Sequence, residues 1–95
     1  MQQDQGVIIK IKNNFFNVEP STRKNKKYDV YLLNDNDRKY LFSVGSSLHQ
    51  HYKDKLGYYK DLDHLDETRK KRYYQRHGHT NDIFTAKWWA SRLLW

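Results

Sequence analysis

The chain has 95 residues, an apolar share of 37% counting Tyr and Trp, and a formal net charge of +7. That length allows one domain with a thin core, and an aromatic share of 16% is too high for a disordered chain. Without cysteine, a disulfide framework and a thiolate metal site are both excluded.

Met1-Gln2-Gln3-Asp4 lacks the basic and then apolar opening of a signal peptide. Residues 1–22 carry no net charge. Val7, Ile9 and Ile11 alternate with Ile8, Lys10 and Lys12, the period of a half-buried strand. Asn13-Asn14 and Pro20-Ser21-Thr22 then read as turn punctuation around Phe15-Phe16. Arg23, Lys24, Lys26 and Lys27 follow, four positive charges in five residues.

A second alternation sets Tyr28, Val30 and Leu32 against Asp29, Tyr31 and Leu33, and a third points Tyr40, Phe42 and Val44 one way. Asn34-Asp35-Asn36-Asp37 between them is turn chemistry, because Asn and Asp tolerate left-handed backbone. A hairpin over 28–44 is expected, and with the first strand an antiparallel sheet of about three strands over residues 7–44. Residues 45–60 lack periodicity and are expected to form an irregular connector with at most one helical turn.

The helical half spans 61–95. A helix over about 62–77 is expected, capped by Asp61 or Asp63, with Asp66 and Glu67 in its first turn and Gly78 at its end. Asp66–Lys70 and Glu67–Lys71 are spaced as ion pairs. A second helix over about 82–94 places Ile83, Ala86, Ala90, Leu93 and Leu94 on one face with Trp89 at its margin. Phe84, Trp88 and Trp95 fall opposite, so one apolar face is expected to meet a partner. The apolar stretch Ile83 to Trp95 is shorter than the roughly 20 residues that cross a bilayer, so no membrane span is expected.

Four stretches carry a resemblance: Ser21-Thr22-Arg23-Lys24-Asn25-Lys26-Lys27-Tyr28; His51-Tyr52-Lys53-Asp54; Arg69 through Gly78, ending Arg76-His77-Gly78; and Ala86-Lys87-Trp88-Trp89-Ala90-Ser91-Arg92-Leu93-Leu94-Trp95. Over residues 21–95 the chain resembles a family of short, basic, largely uncharacterised proteins of large nucleocytoplasmic DNA viruses of algae and protists. Members of that family tend to have Phe-Gly after the hairpin, where this chain has Phe42-Ser43-Val44-Gly45. The resemblance implies a viral origin and a place in the virion or in the cytoplasm or nucleus of an infected cell. It carries over no catalytic residue.

Residue chemistry points the same way. His49, His51, His64, His77 and His79 fit no zinc spacing and are expected at the surface or as caps, so no metal site is assigned. Asn34 to Asp37 fails as a calcium loop, since positions six and twelve from Asp35 are Tyr40 and Ser46. Asp61, Asp63, Asp66 and Glu67 read as capping carboxylates, and no nucleophile elbow or phosphate loop accompanies them. The expectation is therefore a non-enzymatic protein without cofactor. Arg23, Lys24, Lys26, Lys27, Arg69, Arg72 and Arg76 are the candidate polyanion contacts, with Tyr73 or Tyr74 placed to stack on an unpaired base. Phe84, Trp88, Arg92 and Trp95 are the candidate partner contacts. The favoured reading is a minor virion component, capsid or cement-like, whose partners are other virion proteins. The alternative is an accessory protein that contacts DNA or RNA phosphates without reading sequence.

Overall fold

A computed structural model describes residues 6–95. Met1-Gln2-Gln3-Asp4, read above as lacking a signal-peptide pattern, lies outside the described residues. The order is β1 (Val7–Ile11), β2 (Asn14–Pro20), β3 (Lys26–Asn34), β4 (Asp37–Ser46), a 3-10 turn at Lys60–Leu62, α1 (Glu67–His77) and α2 (Ala86–Leu94). It is an α+β fold: a four-stranded antiparallel meander in the order β1-β2-β3-β4, followed by two C-terminal helices.

The sheet has one strand more than the sequence led us to expect. The Phe15-Phe16 run is the centre of β2, which pairs with β1 from Val7↔Val18 to Ile11↔Asn14 and with β3 from Phe15↔Leu33 to Pro20↔Tyr28. Phe16 and Val18 turn inward on the strand's period of two, and both are buried. The β3–β4 hairpin also departs from simple alternation. Val30 faces Phe42, but Tyr31 faces Tyr40, so Leu41 is an extra residue on β4. The bulge flips Tyr40 to the face opposite Phe42 and Val44, and the three do not share a face as their spacing implied.

Trp89, not a margin residue, is the centre of the core. It is fully buried, meets Phe16 edge-on at 5.0 Å and donates its indole N–H to the Ile83 carbonyl at 2.8 Å. Leu93 and Leu94 complete the buried helix face, against Val18, Tyr28, Val30 and Val44 on the sheet. Gly45 makes the contact possible: its φ is +76°, and a Cβ there would lie 2.7 Å from Leu94 Cδ1.

Both helices start later than their polarity suggested. Asp66 caps α1 through its carboxylate to Thr68 N and Arg69 N, and Thr85 caps α2 through its hydroxyl to Trp88 N. Asp63 is engaged elsewhere, and Leu65 takes φ +56° with its side chain exposed, so no helix runs through 62–66. Gly78 ends α1 as expected, at φ +69° with its N–H on the Tyr74 carbonyl. Among the described residues no helix is long and apolar enough to cross a membrane.

Candidate functional site

The segment between β4 and α1 organises the polar chemistry of the molecule. Apart from the 3-10 turn it is irregular, running from 47 to 66 where 45–60 was expected, and it is pinned at both ends. His51 N donates to the Leu62 carbonyl at 3.1 Å and His64 N to the His51 carbonyl at 2.9 Å, closing a parallel bridge between His51 and Asp63. Lys53 N and Lys55 N donate to the Leu94 and Leu93 carbonyls, each at 3.0 Å, and Lys55 Nζ donates to the Arg92 carbonyl at 2.9 Å. The end of α2, where backbone acceptors lack helical donors, is thus satisfied by this strap. Lys55 is fixed in place as a result.

Beneath the strap lies a buried polar cluster that the sequence did not reveal. His51 is 1% exposed, not a surface or capping histidine, and its Nε2 meets Asp63 Oδ1 at 2.5 Å. The same oxygen accepts Asp54 N at 2.8 Å, while the Asp54 carboxylate accepts the Tyr28 hydroxyl, Leu56 N and Tyr59 N. Lys27 is also 1% exposed, with Nζ on the His49 carbonyl at 2.8 Å. Its assignment as a polyanion contact is therefore corrected: an ammonium held inside the fold cannot meet a phosphate. Burial lowers the Lys27 pKa to about 8, against the pull of Asp54 and Asp63. Burial first, and then the Lys27 charge, hold His51 below the ordinary imidazole value. An imidazole on a carboxylate has the geometry of a general base and its orienting partner. Here the ring is sealed inside the protein and the pair ties the two limbs of the strap together, while Lys27 and Tyr28 join the strap to the sheet.

Most of the remaining basic residues fall into three groups. Lys24, before β3, and Lys26, its first residue, are exposed, whereas Arg23 lies over the Tyr40 ring at 3.9 Å and 3.8 Å from Asp29. Arg38 repeats this arrangement on Tyr31 at 3.9 Å and pairs with Glu19 at 3.1 Å, so the arginines of the uncovered sheet face are largely occupied within the fold. Arg69, Arg72 and Arg76 are all exposed on α1, and their spacing puts them on one ridge. Arg69 donates to the Gln50 amide oxygen at 2.9 Å, and Arg76 lines a cleft of about 400 Å³ with Lys87 between α1, α2 and β4. Neither expected ion pair of α1 defines its surface: Asp66 caps the helix, Glu67 accepts the Tyr52 hydroxyl, and Lys70 lies over the Tyr52 ring at 4.5 Å.

The third group forms a site. A cleft of about 290 Å³ is lined by Lys55, Tyr74, His79, Thr80, Trp88, Ser91 and Arg92. No carboxylate lines it. Burial lowers the Lys55 pKa below the ordinary lysine value, and the neighbouring charges of Lys70, Arg92 and Lys53 lower it further. Among the described residues, none of these four cations is ion-paired with a carboxylate. The result is a concave surface that sets positive charge beside aromatic rings.

Two of the expected partner contacts, Trp88 and Arg92, therefore belong to this cleft. Phe84 remains 47% exposed beyond the start of α2, with its ring 5.8 Å from Phe16. Trp95 stacks on Tyr73 at 4.5 Å and 4° and contacts His64 at 5.3 Å, so much of its surface is satisfied within the chain. Lys55 escaped the sequence reading, because only the fold brings residue 55 to the end of α2, and His79 was read only as a surface or capping histidine. The mutual charge of Lys53 and Lys55 was the one visible hint. Among the described residues, no group of three or more His, Asp or Glu side chains is placed to hold a metal ion. No known protein family, curated protein or solved structure matches the chain.

Proposed function

We propose that the chain is a non-enzymatic nucleic-acid-binding protein of a large DNA virus, contacting phosphates through its basic cleft and α1 without reading base sequence. The observation that carries this is that Lys55 and Arg92 line a cleft that contains no carboxylate, with Lys70 close enough to act on the Lys55 charge. Like charges held together raise one another's free energy, and a phosphate relieves that repulsion while releasing its own counterions. The exposed ridge of Arg69, Arg72 and Arg76 extends the surface to successive phosphates. The viral setting rests on the resemblance of residues 21–95. Binding of labelled DNA at low salt tests the proposal. Arg72→Glu is expected to weaken it, and no binding by the unaltered protein would end the idea.

A minor capsid or cement-like role in the virion is the second reading. Phe84 and Leu48, 47% and 69% exposed, favour it, since both offer apolar surface to neighbouring proteins in a shell. Purified particles should then contain the protein in fixed proportion, and its absence from them would remove this reading.

A further inference from the structure

The rings of Tyr74 and His79 stack, with centroids 4.6 Å apart and planes 11° from parallel. Both residues line the cleft of Lys55, Trp88 and Arg92. Both also line a second cleft of about 430 Å³, together with Lys70, Lys71, Gln75 and Glu67. The stacked pair is thus a wall shared by two clefts, with cations in both. Tyr74 is braced from behind, edge-on to Tyr73 at 5.2 Å, with its hydroxyl directed at the Ser91 carbonyl. His79 is the exposed member of the pair. Glu67, the one carboxylate in either lining, already accepts the Tyr52 hydroxyl.

We infer that the two clefts form one track for a single strand of nucleic acid, with a base stacked on the His79–Tyr74 pair and phosphates on Lys55 and Arg92 in one cleft and on Lys70 and Lys71 in the other. This deepens the proposed nucleic-acid binding and rests on it. The reason is geometric. A duplex presents phosphates but keeps its base faces in its own stack, so it gains nothing from an aromatic wall. An unpaired base has a free face, and aromatic platforms flanked by cations serve single strands without regard to sequence.

The test compares three labelled probes at low salt: an oligothymidylate, a duplex of the same length, and inorganic polyphosphate. The proteins are the unaltered chain and its His79→Ala and Lys71→Gln variants, with folding followed by circular dichroism. The single strand is expected to bind tightest. His79→Ala should weaken it by about five- to a hundredfold, the span of a base–aromatic stack, and leave duplex and polyphosphate nearly unchanged. Lys71→Gln should weaken all three modestly. If single strand and duplex bind alike, or His79→Ala affects no probe or all of them equally, the track is wrong but the phosphate-binding reading survives. If none of the probes binds, both fall together.

Discussion

At the scale of single residues, the unusual feature is how much polar chemistry this small chain keeps inside. A buried carboxylate is tolerated only when hydrogen bonds replace its water, and Asp54 and Asp63 each hold at least two such bonds. Tyr28→Phe removes the bond from the Tyr28 hydroxyl to Asp54 while leaving the ring's packing in place. A loss of about 1.5–3 kcal/mol in urea unfolding is expected, the range for bonds to charged groups. His51 makes stability depend on pH. Its folded pKa lies below the ordinary value near 6.5, so the unfolded chain takes up the proton first as pH falls. Its contribution is therefore complete above about pH 6.5 and is lost as pH drops towards the folded value. Since the Lys27 charge is one of the two causes, Lys27→Met should raise the His51 pKa in an NMR titration and flatten the acid loss of stability. An unmoved titration would separate the two residues.

At the scale of elements, α2 is the member on which the sheet depends. Trp89 fills the centre of the contact, and Trp89→Ala is expected to cost about 3–5 kcal/mol in thermal or urea unfolding. That is a large part of the roughly 5–15 kcal/mol that holds a domain together. Gly45→Ala should also destabilise, because φ +76° and the close Leu94 methyl both oppose a side chain. An unchanged melting temperature would show that β4 and α2 are less tightly joined. The hairpin after Lys27, the Gly78 stop and the Ile83–Leu94 face were legible because each follows from a period or a special residue within one element. β2 was not, since Asn14, Asn17 and Pro20 break the apolar run even though Phe16 and Val18 keep its inward period. Nor was the bulge at Leu41, because one inserted residue changes no composition and yet reverses Tyr40. The buried cluster was invisible for a further reason: Lys27, His51 and Asp63 lie far apart in the sequence, and their partners follow only from the tertiary fold.

At the scale of the whole molecule, the dimensions of 43 × 34 × 20 Å describe two layers and little depth. Such a body cannot bury many charges, and after Lys27 is accommodated the excess stays outside. It is not spread evenly. The arginines of the uncovered sheet face are occupied by tyrosines and carboxylates, whereas Lys55, Lys70, Lys71 and Arg92 gather on the helical side. The basic run of α1 was legible in the sequence, but the cleft was not, because its cations come from the strap and both helices. The most direct measurement is the salt dependence of single-stranded DNA affinity for the unaltered chain and for Arg92→Gln. The expected result is a logarithm of affinity that falls linearly with the logarithm of salt, with a slope shallower by about one in the variant. An affinity indifferent to salt, or the same slope in both proteins, would contradict phosphate binding in this cleft.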